Sequence, residues 1–432
     1  MSNSDNKSFH WDKWQEGLIP PLEEHSEKKL DLLRDYLIAY LQIVLAKTRG
    51  KEVQEITLID GFAGGGIYQG NKYGSPIAIL EAAAAAEALI NADREIRTRI
   101  RPICYFVEKN PEAYACLNAT LSAKGYGDRI GRTIHLRNKP FDECIDEIVL
   151  DINTRHNRGG NRTIFFLDQC GWSRISAPTI ASIAQRLHGR PEFIINFAMD
   201  WLTDHMSAKT ISRDQAALDQ LGLAGAVDVQ EMLRLQLKFG GDWKHAVEAH
   251  IGTAFHKASN VPFFSPFYIE PKNNHRGYWL LHLAGSTRAR SAMADVHWQK
   301  ANRSKHYGNL GLDMLSYKPT NDDSMYIQGM SFGDESRAKC ISVLGSDLAR
   351  LLRDEHGDGI TYEEFVNKIS NRIVASSPML NEVLFSLCQT SEFEVRSPRL
   401  HDKRSQSFRA NDILMPRKQF FLPGMQVAKP PA

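Results

Sequence analysis

Between residues 56 and 198 short apolar runs alternate with helical patterns, and this alternation narrows the fold more than any other feature of the chain. The runs are ITLID ending at Asp60, ICYFVE (103–108), TIHLRN (133–138), TIFFLD (163–168) and EFIINFA (192–198). Segments of roughly 10–15 residues with helical spacing lie between them, which predicts βαβ units on a parallel sheet. Apart from TIHLRN, with its His135, Arg137 and Asn138, the runs are nearly all apolar, as strands covered on both faces are. The expected core is a doubly wound α/β domain.

Other elements fall around that core. Residues 1–21 read as an irregular arm holding Trp11, Trp14 and the Pro20-Pro21 pair. From about Leu22 to Leu45, Leu30, Leu33, Leu37, Tyr40, Leu41 and Val44 recur at three- and four-residue spacings, an amphipathic helix. The next helix is expected to start with Ser75 as N-cap and Pro76 at the first helical position. Its alanine-rich stretch AILEAAAAAEALI is interrupted by Glu81 and Glu87, which fits a packed helix and not a membrane span. Residues from about 204 to 262 read as a helical insertion. FYIEP and GYWLLHLAG read as a closing hairpin, followed by the helix ARSAMADVHWQK. The expected domains are an N-terminal arm and helix (1–50), the α/β domain (51–305), a linker (306–335) and a C-terminal unit (336–432). Three short amphipathic helices and a β-hairpin in that last unit are the ingredients of a winged helix.

The six cysteines of the 432-residue chain are scattered with no CxxC pair, which argues against a zinc ribbon or a disulfide scaffold. With the polar opening MSNSDNKSFHWDKW, they lead to an expected cytoplasmic location and no metal. The net charge of +2 decides nothing alone.

In an open parallel sheet, ligands bind at the carboxyl ends of strands, near the reversal of strand order. The first such end here is Asp60-Gly61-Phe62-Ala63-Gly64-Gly65-Gly66. A dinucleotide fingerprint fails at Gln69, and the Gly-Lys-Ser/Thr of a phosphate-binding loop is absent. D-x-F-A-G-x-G remains, the form this loop takes in many S-adenosylmethionine (AdoMet)-dependent methyltransferases. Glu108 ends the next strand, where a carboxylate can accept both ribose hydroxyls of a nucleoside, or is a solvated surface charge. Asn138, ending the third, stands where an adenine-contacting residue would, or is a simple turn residue. The fourth strand runs into Asp168-Gln169-Cys170-Gly171-Trp172. There Asp168 could accept a hydrogen bond from an exocyclic amine, and Trp172 could stack on a flipped base or pack in the core. Cys170 is either a nucleophile toward cytosine or a small buried filler.

PPLEEHSEKKLDLLRDYLIAYL, IDGFAGGGIYQG…GSPIAIL, FVEKNPEAYACL and FFLDQCGW…IINFAMDWL together resemble the three-Cys-motif partner proteins (TcmP), a bacterial family related to class I methyltransferases. The resemblance covers about residues 18–300. It implies a Rossmann-like class I methyltransferase sheet and an AdoMet site using Asp60, Gly61, Phe62, Ala63, Gly64, Gly66 and Glu108. It also implies work alongside a radical-AdoMet three-Cys-motif protein, to which the three cysteines belong. The chain departs from the pattern at Asp168-Gln169-Cys170-Gly171, where relatives carry Asp-Pro-aromatic-Gly, and this puts base methylation in question. His25 and Lys28, one turn apart in the matching N-terminal helix, could meet the cofactor carboxylate or a substrate phosphate.

Between Arg396 and Lys418 stand seven Lys/Arg (396, 399, 403, 404, 409, 417, 418) against two acids (402, 412). A basic wing of this kind, with Arg396, Lys403 and Arg404 as representatives, suits phosphate contacts. The expected function is an AdoMet-dependent methyltransferase acting on nucleic acid with the three-Cys-motif protein. The alternative is a non-catalytic AdoMet- or nucleic-acid-binding partner module.

Overall fold

The alternating runs become the strands of one twisted sheet. The computed structural model describes residues 11–45, 53–92, 97–155, 162–169, 175–188, 191–197, 209–239, 243–269, 278–299, 304–306, 311–312, 330–397 and 408–417. After the helix α1 (Glu24–Leu45) come β1 (Val53–Asp60), the two-residue strands β2 (Ile67–Tyr68) and β3 (Lys72–Tyr73), α2 (Ser75–Asn91), β4 (Arg99–Val107), α3 (Pro111–Leu121) and β5 (Ile134–Arg137). Then follow α4 (Phe141–Arg155), β6 (Thr163–Leu167), α5 (Ala177–Arg186) and β7 (Glu192–Phe197). The insertion supplies helices α6 (Ile211–Gln220), α7 (Val229–Phe239) and α8 (Trp243–Ser259), and the hairpin is β8 (Phe263–Ile269) and β9 (Tyr278–Ala284).

With two further short strands, β10 (Ser304–His306) and β11 (Met330–Ser331), the strand order is β11-β10-β8-β9-β7-β6-β1-β4-β5, with β5, β4, β1, β6 and β7 parallel and β9 antiparallel to β7. The chain builds outward from β1 through β4 to β5, returns to the other side of β1 as β6 and β7, and ends in a hairpin whose second strand lies inside its first. That order, with its antiparallel strand beside β7, is the class I methyltransferase sheet. At the edge beyond β8, β10 pairs with β11, which lies within the stretch expected as linker.

Burial on both faces explains the apolar runs. Leu58, Phe166 and Ile194 point to a core shared with α1, α2 and α9 (Thr287–Gln299), while Ile59, Phe165, Phe193 and Ile195 point to a second core under α4 and α5. The alternation along each strand is the two-residue period of a pleated sheet. On α1, Leu32, Tyr36, Leu37, Tyr40 and Leu41 form the buried stripe. Ser75 is the first residue of α2 and Gly74 its cap, one position earlier than expected. Among the described residues no helix is long and apolar enough to cross a membrane.

The C-terminal unit consists of α10 (Asp334–Glu355), β12 (Ile360–Thr361), α11 (Tyr362–Ile369), α12 (Ser377–Gln389), β13 (Phe393–Arg396) and β14 (Ile413–Pro416), the strands forming an antiparallel sheet in the order β12-β14-β13. It is fastened to the rest. The buried Arg290 of α9 donates to the carbonyls of Ile373 and Ala375, and Trp298 Nε1 donates to Val374 O at 3.1 Å. Asn371 accepts from Phe264 N and donates to Pro262 O, and one hydrophobic core runs through both units.

Candidate cofactor and acceptor site

The reversal of strand order between β1 and β6 opens a crevice at their carboxyl ends, where such sheets bind ligands. Asp60 closes β1 and is 1% exposed. Its Oδ1 accepts from Phe62 N at 3.1 Å, while Oδ2 is buried with no hydrogen bond of ordinary geometry among the described residues. Burial pushes the Asp60 carboxyl up to about 7, opposed by the Ser75 hydroxyl and the Phe62 N–H, with Asp168 and Glu108 adding to the rise. The helix start at Ser75 thus turns its hydroxyl toward Asp60 instead of capping α2.

Beyond Asp60 the backbone runs tight against its neighbours. A Cβ on Gly61 would lie 2.8 Å from the Leu167 side chain, and one on Gly66, whose φ is +72°, would lie 2.8 Å from Leu117. Gly64 also takes a positive φ of +61°. Such backbone suits glycine, since a side chain is strained at positive φ. Ala63 N donates to Val107 O at 2.9 Å, and the half-buried Phe62 packs on Phe141 with ring centroids 6.2 Å apart.

Glu108 follows β4. Its Oε2 accepts from Gly64 N at 2.9 Å and its Oε1 from Asn110 N at 2.7 Å, so one carboxylate holds the glycine loop to the cap of α3. A carboxylate oxygen can accept twice, so each retains capacity for a ligand hydroxyl. Asn138 is exposed and its Nδ2 donates to Glu108 O at 2.8 Å, bracing this turn.

Asp168, after β6, is gripped from two sides. Lys29 Nζ of α1 lies 2.6 and 2.7 Å from its two oxygens, and Asn196 Nδ2 donates to Oδ1 at 2.7 Å. Gln169, in the place of the proline of the resembled pattern, is 1% exposed; its Oε1 accepts from Ile175 N and its Nε2 donates to Asn196 O. A pair of side-chain bonds therefore braces the turn in place of a proline ring. Cys170, Gly171 and Trp172 lie outside the described residues, as do Lys403, Arg404 and the side chains of His25 and Lys28. Arg396 is described and donates to Glu394 at 2.8 Å, away from the crevice.

A small pocket, open at its mouth, lies under α1 at the carboxyl ends of the strands. Lys29, Asp60, Ser75, Asp168 and Asn196 line it on the polar side, and Leu33, Tyr36, Phe166, Ile194, Leu280 and Met293 on the apolar side. At the far end Tyr36 donates to Glu192, and His282 Nε2 lies 3.1 Å from the Tyr36 hydroxyl and 3.3 Å from Glu192 Oε2. All three side chains are buried. The helix is thus pinned at Lys29 over the strand ends and at Tyr36 over the start of β7. Lys29 and Asn196 are the site residues that motif reading passes over. Lys29 is signalled by its place four and seven residues before Leu33 and Tyr36 on one stripe, and Asn196 by being polar within an apolar strand. Among the described residues no His, Cys, Asp or Glu side chains gather as a metal site.

No protein-family model and no curated protein matches the chain. Among solved structures it is similar to Trm1 from Pyrococcus horikoshii in complex with S-adenosyl-L-methionine, at 12% identity and a TM-score of 0.33, covering 92% of this chain and 93% of that one. It is also similar to geranyl diphosphate C-methyltransferase from Streptomyces coelicolor A3(2), at 13% identity and a TM-score of 0.26, over 62% of this chain and 90% of that one. A putative class I methyltransferase from Listeria monocytogenes shows 8% identity and a TM-score of 0.24, over 59% and 60%. At such scores the likeness adds nothing to the strand order, which by itself defines the class I methyltransferase fold.

Proposed function

We propose that the chain binds AdoMet in this crevice and is an AdoMet-dependent methyltransferase. The observation that carries the reading is Asp60, a buried carboxyl lining the pocket beside the glycine loop, with the Phe62 N–H and the Ser75 hydroxyl against it and no cation paired with it among the described residues. An ammonium is the partner such a carboxyl lacks, and Glu108, one strand away, has acceptor capacity for two hydroxyls. A molecule with an amino-acid head and a ribose fits both. When bound, AdoMet supplies a methyl group on a sulfonium, a good electrophile toward a lone pair held in line.

The chain's own part is to hold and align. Asp60 and Ser75 would meet the amino group, Glu108 the ribose, and Gly61, Phe62, Ala63, Gly64 and Gly66 would let the backbone approach the nucleoside closely. Asn138 would stand near the base. Asp168, braced by Gln169 and Asn196, would orient the acceptor. Transfer of this kind depends on alignment and exclusion of water more than on strong acid–base chemistry.

We further propose a nucleic-acid acceptor, for which the basic excess between Arg396 and Lys418 speaks, gripped by a winged-helix-like C-terminal unit. Coupling to a radical-AdoMet three-Cys-motif protein rests on the sequence resemblance. One specific observation favours the second reading, an AdoMet-holding partner module without transfer: Asp168 is already engaged by Lys29 and Asn196. On the C-terminal unit α12 carries no lysine or arginine, and the described Arg337, Arg353 and Arg396 each pair with a glutamate.

Equilibrium dialysis with methyl-labelled AdoMet, wild type against Asp60→Ala, tests the cofactor claim. Binding should be lost in the variant, and retention would remove the site assignment. Incubating the loaded protein with DNA, RNA and the three-Cys-motif protein then separates the readings. Label transferred to nucleic acid supports the enzyme, and label retained with every substrate supports the module.

A further inference from the structure

The stretch from Trp11 to Lys29 touches both walls of the crevice. On the glycine-loop side, a Cβ added to Gly65 would lie 2.3 Å from the Trp11 ring, so the indole sits on bare backbone. Gln69 donates from its backbone N to Pro20 O and from Nε2 to Ile19 O, both at 2.9 Å. Lys72 donates to both oxygens of Glu27 at 2.9 Å. On the opposite side, Lys29 holds both oxygens of Asp168. One continuous segment is therefore fastened to the loop after β1 and to the residue after β6, the two strands between which the order reverses.

The fastening at Asp168 is chemically particular. The Lys29 side chain is only 13% exposed. Asn196 and the buried carboxyl of Asp60 line the same pocket. A ligand that parts this pair must replace Asp168 for the largely buried Lys29 ammonium or leave that charge without a partner at a cost, whereas the half-exposed Asp168 can turn to water. A carboxylate meets Lys29, and an ammonium beside it meets Asp60 and Asp168, which together make a free α-amino-acid group. A neutral nucleoside offers neither.

We propose that residues 11–29 form a strap that retains the bound cofactor, and that Lys29 recognises its α-carboxylate. This rests on the cofactor reading above and goes past it by assigning the residue that selects the head group and the segment that sets the release rate. With the cofactor seated, Lys29 exchanges Asp168 for the ligand carboxylate while Glu27–Lys72 and Trp11 keep the strap down. Departure requires the strap to lift.

The test is a release-rate measurement by displacement, with S-adenosylhomocysteine and with 5′-methylthioadenosine, which lacks the amino-acid group. Lys29→Met should release S-adenosylhomocysteine about tenfold faster than wild type, the factor carried by one charge-assisted hydrogen bond. Lys29→Arg should restore slow release. The release of 5′-methylthioadenosine should quicken less in Lys29→Met than that of S-adenosylhomocysteine, because with that ligand only the Lys29–Asp168 fastening is lost. Lys72→Met, which loosens the strap outside the pocket, should hasten the departure of both ligands. Equal release of S-adenosylhomocysteine by wild type and Lys29→Met, both still binding it, would overturn the assignment of Lys29. Unchanged release from Lys72→Met would overturn the strap. A wild type that binds neither nucleoside removes the cofactor reading itself, and this one with it.

Discussion

Asp60 ties the proposed ligand to the stability of the empty protein. Its carboxyl rises from the ordinary 3.8 to about 7 because the fold withholds water from the charged form. That displacement corresponds to roughly 4 kcal/mol between the neutral and charged forms. The folded chain keeps the proton over a range where the unfolded chain has lost it, so stability falls as pH climbs from about 4 to about 7 and stays low above. Asp60→Asn is neutral throughout and keeps an oxygen for the Phe62 N–H. Relative to wild type it should be nearly neutral at about pH 4 and gain stability with rising pH, up to roughly 4 kcal/mol at pH 8. Thermal unfolding of both proteins across that range would read this as a widening gap of several degrees in Tm. S-adenosylhomocysteine at about 100 times its dissociation constant should stabilise wild type by roughly 2.7 kcal/mol. The variant should show no such response, having lost the carboxylate that meets the ammonium. A variant less stable than wild type at every pH, or one stabilised equally by the ligand, would refute the reasoning.

Glu108→Gln keeps the shape but lacks the charge that two backbone N–H groups and two ligand hydroxyls would share. It should weaken S-adenosylhomocysteine binding by roughly 10–100-fold, at 1.5–3 kcal/mol for hydrogen bonds to a charged group, measurable by titration calorimetry. Gly66→Ala places a methyl against Leu117 at a positive φ, and should cost about 1–3 kcal/mol in denaturant unfolding. Tyr36→Phe leaves the buried Glu192 and His282 without their shared hydroxyl and should cost about 1–3 kcal/mol, with hydrogen exchange rising along α1.

The sheet was legible in the sequence because strands buried on both faces need apolar side chains throughout, and four such runs stood out, with the more polar edge strand β5 placed by its spacing between two helices. Asp60, the glycine loop and Glu108 were legible too, since each follows directly from its place at a strand end. What stayed hidden were contacts across the fold. Lys28 and Lys29 are neighbours in a polar stretch, and only the docking of α1 on the sheet shows that Lys29 faces Asp168. The Trp11 arm read as irregular because its ordered part, a 3₁₀ turn over Trp11–Glu16, has too few residues to show a period. β10 and β11 have only three and two residues, too few to signal a strand in a stretch rich in polar and glycine residues.

The helix α9 belongs to two neighbourhoods at once. Its Arg290 and Ser291 hold the backbone of residues 373–377 in the C-terminal unit, and its Met293, a few ångströms of helix further on, forms part of the pocket wall beneath α1. Close-packed interiors transmit displacement instead of absorbing it. A displacement of the C-terminal unit would therefore press on the wall of the pocket, with a single rigid helix as the lever.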